Sequence, residues 1–228
     1  MKNIALLILF TGYSLLSHAQ IPQDMIEFAN SVDLSRGFSD NSYKNTYEGS
    51  PFLHDEWQKG IAYIANGEQQ ELIMRYLILE KCFIVQTGES VGKLAINRLS
   101  SVELGGRRFI WSAYKAGNNI QQDIFELLHA GSQGVDLLKH HSIEVRAGND
   151  GSGYQQEQKP RLTKKTTLYY RTPDAPMQEL PTKKKDFLDI FGDKSALVNS
   201  FFSAERLRMN EDGYIKAFEY YNSLTGEN

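Results

Sequence analysis

Residues 57–146 contain one short β-type run after another, and this series constrains the fold more than any other feature of the sequence. Its clearest element is a hairpin, in which Asn66–Gly67 separates the runs 60–65 and 72–79. Asn-Gly favours a type I′ turn, because both central residues of that turn need positive φ. Further runs follow at short spacing, at 82–85, 93–96, 102–104, 107–111, 124–128, 135–139 and 142–146.

The short glycine-containing turns between these runs leave no room for helical crossovers, which need a dozen or more residues each. The sequence therefore predicts an α+β fold in which an antiparallel β-meander forms a sandwich or a partial barrel. One more strand is predicted at 168–171. The glycine-rich stretch before it, 147–159, lacks both the alternating acidic residues of a calcium loop and a following helix, so it is interpreted as a hairpin connection.

Two or three short helices are predicted after the strands. Thr182, Asp193 and Asn210 are the expected N-caps. Apolar residues recur at helical spacing in this part of the chain, and such stripes usually pack into a core. The expected organisation is a signal peptide at 1–20, an irregular N-terminal arm at 21–50, a β-rich domain at 51–180 and a helical segment packed on the sheet at 181–228.

The first twenty residues have the pattern of a secretory signal peptide. Lys2 provides the positive start, residues 4–10 form the apolar core, and Ser17-His18-Ala19 carries small residues at the two positions that a signal peptidase recognises. Cleavage is expected after Ala19 or Gln20. This predicts a secreted or periplasmic protein, or one associated with the cell surface, with no integral membrane segment after cleavage.

Charge and cysteine content exclude further classes. The formal net charge is −3, and a dedicated nucleic-acid binder would need a basic footprint, so no nucleic-acid partner is expected. Cys82 is the one cysteine, so the chain cannot form an internal disulfide. Its position in a strand-like run favours a buried small hydrophobic side chain over a nucleophile.

Several short motifs together resemble an uncharacterised family of exported Bacteroidota proteins. They are the Gly-Ser-Pro-Phe-Leu opening at 49–53, Asn66–Gly67, Leu72 with Arg75-Tyr76, and the C-terminal Tyr-Tyr-Asn-Ser-Leu at 220–224. Members of this family often have Asn after the tyrosine of the second strand, where this chain has Leu77. The resemblance implies export and a shared fold, and it implies no chemistry.

No catalytic, cofactor-binding or metal-binding residue is predicted. Adjacent strand residues point to opposite faces, so His140 and His141 are not expected to bind one metal ion together. The other histidines outside the predicted signal, His54 and His129, complete no zinc spacing. The sequence also lacks the Gly-x-Ser-x-Gly motif of many serine hydrolases.

Two surface interpretations follow from composition. The lysine runs 164–165 and 183–185 could bind an acidic polymer or anionic lipid headgroups, although such runs usually lie on solvated surfaces without a partner. Exposed aromatic residues could form a carbohydrate platform, for which the candidates are Trp57, Trp111, Tyr114, Tyr169 and Tyr170.

The leading functional hypothesis is an exported, non-catalytic binding or structural module of the periplasm or cell surface, with an envelope protein or glycan as partner. The alternatives are an envelope hydrolase that acts on a glycan or peptide, and a carrier of a small apolar ligand. A hydrolase requires a cleft with convergent polar groups, whereas a carrier requires an apolar interior cavity.

Overall fold

The structure is a computed structural model that describes residues 32–33, 40–64, 67, 69–87, 90–94, 99–131, 135–149, 151, 158–173 and 175–225. The predicted signal peptide at 1–20 lies outside these residues. Asn66 of the predicted first turn and most of the 147–159 connection also lie outside them.

The chain is dominated by one antiparallel sheet, as the sequence predicts. The strands are β1 (Val32–Asp33), β2 (Gln58–Ile64), β3 (Gln69–Leu77), β4 (Cys82–Thr87), β5 (Ser90–Leu94), β6 (Leu99–Leu104), β7 (Arg107–Ala116), β8 (Asn119–His129), β9 (Asp136–Arg146), β10 (Arg161–Arg171) and β11 (Gln178–Glu179). Their order in the sheet is β1-β5-β4-β3-β2-β6-β7-β8-β9-β10-β11. Most sequential neighbours pair directly, which is the arrangement of a meander.

Local turn chemistry explains several of these pairings. Gly105 and Gly106 join β6 to β7, and both have positive φ, at 59° and 75°. Gly67, which lies in the connection between β2 and β3, has a φ of 94°. Residues with a Cβ rarely adopt these conformations, so glycine at these positions favours the tight turns.

Side-chain contacts show that the sheet is strongly curved. Five strand spacings separate β3 from β9, which would place them about 24 Å apart in a flat sheet. Yet the ring centroids of Tyr76 on β3 and His141 on β9 are 6.5 Å apart. Phe83 and Phe109 pack against Tyr76 in the same apolar cluster, so the concave face is filled with aromatic side chains.

Residues 47–53 connect β3 to β10, which are not neighbours in the sheet order. The amide of Leu162 donates to the carbonyl of Glu48 at 2.8 Å. At the other end of the segment, the amide of Leu53 donates to the carbonyl of Tyr76 at 2.9 Å. This segment therefore joins two strands that are distant in the sheet order.

A second connection lies between β7 and β10. The amide of Lys115 donates to the carbonyl of Met177 at 2.9 Å, and the amide of Leu180 donates to that of Leu168 at 2.8 Å. The side chain of Met177 is fully buried with Tyr114, Phe125 and other residues of a second apolar cluster on the opposite face of the sheet.

The described part of the N-terminal arm is not irregular throughout. It contains a helix, α1 (Asp40–Thr46). The ring of Tyr43 in α1 packs edge-on against Phe52, with centroids 6.3 Å apart. This long-range contact holds the helix, and the polar composition of the arm gave no sign of it.

The C-terminal segment forms α2 (Lys184–Asp189), a 3₁₀ turn (Gly192–Lys194), α3 (Ser195–Ala204) and α4 (Glu211–Thr225). Phe187, Phe202 and Phe218 are buried in a cluster that also contains Leu137 of β9, so the helices pack against the sheet. Phe201 remains partly exposed and stacks on Tyr220, with ring centroids 4.2 Å apart. None of the helices in the described ranges has the length and apolar character needed to span a membrane.

Two of the predicted helix caps are wrong. α2 begins after Lys183 and α3 after Lys194, and neither start has a side-chain capping bond, so Thr182 and Asp193 do not cap. A 3₁₀ turn precedes α3 and displaces its start beyond Asp193. Asn210 does cap α4, because its Oδ1 accepts a hydrogen bond from the amide of Gly213 at 3.1 Å.

Candidate functional site

Arg75 on β3 is a buried cation, because only 4% of its surface is exposed. Its guanidinium carbon lies 4.0 Å from the ring centre of Phe52 and 4.2 Å from that of Trp57. Nη1 donates a hydrogen bond to the backbone carbonyl of Asp55 at 2.9 Å. Stacking on aromatic rings and a bond to a carbonyl offset the cost of burying a cation.

Arg75, Phe52 and Asp55 form one side of a pocket with a volume of about 410 Å³. Its lining consists of Tyr43, Lys44, Gly49, Ser50, Pro51, Phe52, Asp55 and Arg75. We call this the Arg75 pocket. It lies between α1, residues 49–55 and β3, and its volume is within the range of about 300–1,000 Å³ that is usual for small-molecule sites.

Polar groups in the Arg75 pocket are held by short-range contacts. The hydroxyl of Ser50 donates to the carboxylate of Asp55 and accepts a bond from the amide of Phe52 at 3.2 Å. At the rim, the hydroxyl of Tyr43 donates to the carboxylate of Glu80. Burial and this hydrogen bond both raise the pKa of the Tyr43 phenol, so the phenol stays protonated as a donor.

The motifs at 49–53 and 75–76, which are far apart in sequence, meet at this pocket. Phe52 covers the guanidinium of Arg75, and the amide of Leu53 bonds to the carbonyl of Tyr76. Leu77 is fully buried and forms a β-bridge with Phe52. Contacts between the two motifs therefore attach residues 49–53 to the end of β3.

A second depression, the β2 groove, lies on the sheet surface and has a volume of about 430 Å³. Ile61 lies directly opposite Glu71 of β3 and Glu103 of β6. The full lining is Lys59, Gly60, Ile61, Glu71, Leu72, Ile73, Glu103, Gly105 and Gly106. Its side chains belong to sheet strands and one turn, and its lining among the described residues includes no buried cation and no segment laid across the sheet.

His140 and His141 lie on opposite faces of β9, and each contacts its own carboxylate. Nε2 of His140 is 3.0 Å from Oδ2 of Asp123, and Nε2 of His141 is 2.6 Å from Oε2 of Glu126. No group of three or more His, Cys, Asp and Glu side chains converges as a metal site anywhere in the part of the chain that the structure describes.

Asp123 is fully buried and has a second side-chain partner, Lys81, whose ammonium lies 2.6 Å from Oδ2. Burial alone would raise the pKa of Asp123, but the hydrogen bonds from His140, Lys81 and the Ile124 amide outweigh it and lower the pKa. The carboxylate is thus held ionised. The contact also attaches the turn between β3 and β4 to β8.

Glu126 follows the same rule on the other face of the sheet. Burial raises its pKa, and the hydrogen bond with His141 and the positive charges of Lys139 and Arg107 lower it by more. Both pairs are enclosed by aromatic rings: His140 by Tyr114, Phe125 and Tyr169, and His141 by Tyr76 and Phe109. Their contacts are those of structural hydrogen bonds inside the sheet.

The aromatic residues considered for a carbohydrate platform do not share a surface. Tyr114 and Tyr169 are buried in the cluster around Met177, and Tyr170 packs beneath the C-terminal helices. Trp57 covers Arg75, and Trp111 donates to Gln122 at 3.3 Å. Burial raises the pKa of Cys82 to about 11, which keeps its thiol protonated, as expected for a small apolar side chain.

Sequence reasoning missed both Arg75 and Asp123. A charged residue inside an apolar run, such as Arg75 between Met74 and Tyr76, could have signalled a buried cation that needs aromatic or carbonyl partners. The partners themselves could not be identified from sequence, because Phe52, Trp57 and Asp55 precede the strand in a stretch without regular periodicity. The pairing of Lys81 with Asp123 has no local pattern at all.

No protein-family model, no curated protein and no solved structure matches this chain.

Proposed function

We propose that this protein is an exported, non-catalytic binding module and that the Arg75 pocket is its ligand site. The observation that carries the proposal is the Arg75 guanidinium, which is almost fully buried, stacked between two aromatic rings and exposed to a pocket of small-molecule size. A pre-organised polar group in a mostly apolar concavity is the common composition of binding sites.

The alternative of an apolar-ligand carrier receives less support. Such a carrier needs space inside the curved sheet, and the described interior is occupied by Tyr76, Phe83 and Phe109 in mutual contact. Each of the three rings is at most 1% exposed. A ligand on the concave face would have to displace this packing, at a cost of several kcal/mol for each large side chain.

A hydrolase also receives less support. The strongest acid–base candidate is the pair of His140 and Asp123, but Lys81 occupies the same carboxylate oxygen of Asp123. Aromatic rings surround the imidazole. The arrangement neutralises a buried charge, and the hydrogen bonds that the structure describes for the His140 imidazole include none to a hydroxyl or thiol nucleophile.

We infer that the curved sheet closes further into a partial barrel. Support comes from residues 47–53, which bond to both β3 and β10, and from the segment at 177–180, which bonds to both β7 and β10. Closure of this kind brings strands that are distant in the sheet order together around one interior. It would also place the Arg75 pocket at the seam of the barrel.

Export to the periplasm or cell surface belongs to the same proposal. It rests on the pattern of residues 1–20 and on the resemblance of the 49–53, 75–76 and 220–224 motifs to an exported Bacteroidota family. An exported binding module with no disulfide must obtain its rigidity from packing. The aromatic core and the buried ion pairs provide that rigidity.

Chemical-shift mapping tests the proposed site. A library of small molecules is titrated into the ¹⁵N-labelled chain, processed at the predicted signal site. The proposal expects shifted amides to cluster at 43–44, 49–55 and 75. Ser50→Phe should abolish binding by filling the pocket, and the matched variant Ile61→Phe in the β2 groove should bind normally. Shifts confined to the groove, or no binding at all, would contradict the proposal.

A further inference from the structure

We propose that the protein binds a linear acidic polysaccharide, one with repeated carboxylate or sulfate groups, along a basic strip on β9 and β10. The strip consists of Arg146, Lys159, Arg161 and Lys165, all of which are exposed. These four residues do not belong to the lining of the Arg75 pocket. The inference therefore goes beyond the proposed function and concerns a second surface.

The pairing of the two strands puts the charges on one face of the sheet. Arg161 lies directly opposite Arg146, and Lys165 lies opposite Ser142. Opposed residues share a face, and side chains along one strand return to that face at every second residue. Arg161 and Lys165 are therefore on the same face, about 13 Å apart along β10. The charges form a row that follows the strands.

The pair of arginines has an energetic cost in the protein alone. Like charges directly opposite each other on antiparallel strands destabilise the pairing. The carboxylate of Glu144 offsets part of this repulsion, because it contacts Arg146 at 3.5 Å and also pairs with Lys165. No ion pair of Arg161 or of Lys159 occurs among the residues that the structure describes. A bound anion would relieve the repulsion that remains.

Positive charge continues next to the start of β10. The ammonium of Lys159 donates to the backbone carbonyl of Lys44 at 3.1 Å, so a further exposed lysine lies beside the strip. Glu48, which forms a β-bridge with Arg161, is an acidic neighbour. Among the described residues of this region, five basic side chains thus stand against two carboxylates, Glu48 and Glu144, in a chain with a formal net charge of −3. This local excess attracts acidic partners.

The residues between the charges favour a polysaccharide as the partner. Ser142, Thr163 and Thr167 lie on the same face of the two strands, and their hydroxyls can donate to and accept from sugar hydroxyls. Every residue of this face at 142–146 and at 161–167 is polar. A protein interface usually has an apolar centre, a membrane-bound surface adds apolar side chains that enter the lipid, and single-stranded nucleic acid stacks on aromatic rings.

The strip is also rigid and elongated. β9 and β10 pair over the whole of β10, from Arg161 to Arg171, so the backbone under the strip is fixed before a ligand arrives. Fixed binding groups reduce the entropic cost of association. A linear polymer can contact several charges of the row at once, whereas a single acidic sugar reaches one or two of them. Polymer length should therefore increase the affinity.

Binding measurements on the processed chain test the proposal with four probes: polygalacturonate, dextran sulfate, uncharged dextran and monomeric galacturonate. The first two separate carboxylate from sulfate recognition. The preferred acidic polymer is expected to bind roughly tenfold or more tightly than dextran and than the monomer. Binding of neither acidic polymer, or tighter binding to poly-L-glutamate or to phosphatidylglycerol vesicles than to both, would overturn the proposal.

Single substitutions locate the binding to the strip. Arg161→Gln should weaken the acidic polymer by roughly tenfold, while thermal melts should show no loss of stability, since a like-charge contact is removed. The hydrogen bond from Lys165 and the nearby Arg146 lower the pKa of Glu144, so its carboxylate is ionised and competes with the ligand. Glu144→Gln should therefore strengthen binding.

Two matched variants serve as controls. Lys216→Gln removes one exposed positive charge from α4 and should leave polymer binding unchanged. Ser50→Phe, which fills the Arg75 pocket, should also leave it unchanged, so failure at the pocket and failure at the strip are distinguishable. Weaker binding in Glu144→Gln, or a loss in Lys216→Gln or Ser50→Phe equal to that in Arg161→Gln, would contradict the assignment to the strip.

Discussion

The Arg75 pocket and the β2 groove have nearly equal volumes, about 410 and 430 Å³, but they are built in different ways. The groove is a hollow between side chains of strands and a turn that face solvent. The pocket is enclosed by a chain segment, residues 49–55, laid across the end of β3 and stacked on a buried arginine. Volume alone does not distinguish them, whereas rigidity and buried charge do.

The pocket and the groove also differ in their cost to the stability of the fold. Burying Arg75 carries a desolvation cost that a structural core does not require, and the surrounding residues compensate it with two aromatic rings and a carbonyl. The groove carboxylates, Glu71 and Glu103, remain at the surface on either side of Ile61. We therefore expect substitutions in the pocket to affect folding and binding together, and substitutions in the groove to affect neither strongly.

The largest contrast should come from truncating one apolar side chain in each place. Phe52 is buried and contacts Arg75, Tyr43 and Leu77, so Phe52→Ala should lower the free energy of unfolding by about 3–5 kcal/mol. Ile61→Ala in the groove should cost about 1 kcal/mol, since the side chain is half exposed. Urea denaturation measures both, and equal losses would remove the distinction between pocket and groove.

The next contrast concerns cations. Arg75→Lys replaces a planar group that stacks on two faces with a compact ammonium, and it should lower the free energy of unfolding by about 1–3 kcal/mol. Arg108→Lys is the matched change, because Arg108 lies 5.7 Å from the ring centre of Tyr63 and is exposed. It should cost less than about 0.5 kcal/mol. A stable Arg75→Lys variant with unchanged ligand binding would show that the stack is dispensable.

Acid should weaken the contacts that attach the end of β3, the strand that carries Arg75, to β8. The pKa values of Asp123 and Glu126 are lowered in the folded protein. Their stabilisation is therefore complete above the unfolded values, about 3.9 and 4.3, and is lost as the pH falls through the lower folded values. Protonated Asp123 no longer attracts Lys81, which follows β3 in the chain.

Equilibrium unfolding between pH 6 and pH 2 measures this loss. Asp123→Asn should make the curve flatter in the acid range, because a buried carboxyl group with a lowered pKa is then absent. The exposed substitution Asp189→Asn should leave the shape of the curve unchanged. An acid dependence that is identical in all three proteins would rule out Asp123 as a source of the stability.

The smallest contrast is between two serines. Ser50 bonds to Asp55 and to the amide of Phe52, so Ser50→Ala should cost about 0.5–1.5 kcal/mol. Ser100 donates to the carbonyl of Tyr63 at 3.1 Å on an exposed strand, and Ser100→Ala should change stability by less than about 0.5 kcal/mol. Thermal melts resolve this difference, and a reversed order would indicate that the pocket loop is not held by Ser50.

The sheet could be predicted from sequence because its signals are local. A glycine pair such as Gly105–Gly106 determines a tight turn by its own backbone preference, and the apolar runs on either side identify the strands. The cap at Asn210 is equally local, since its bond spans only three residues. The predicted caps at Thr182 and Asp193 were wrong, because tertiary packing also determines where a helix begins and can override a side chain that is able to cap.

The candidate site could not be predicted, since it depends on contacts between distant residues. Lys159 and Lys44 are 115 residues apart, and Lys164 and Leu53 are 111 apart. No periodicity links such pairs. The short motifs at 49–53 and 75–76 were visible in the sequence, but only the fold showed that Phe52 covers Arg75. The amino-acid composition also gave no indication that the pocket and the groove would have similar volumes.

The most direct test of the account is a crystal structure of the processed chain soaked with a library of small molecules at high concentration. The account predicts ligand density in the Arg75 pocket, in contact with residues 49–55 and with Arg75. Ligand density in the β2 groove or against Tyr76 on the concave face, with the Arg75 pocket empty, would contradict it.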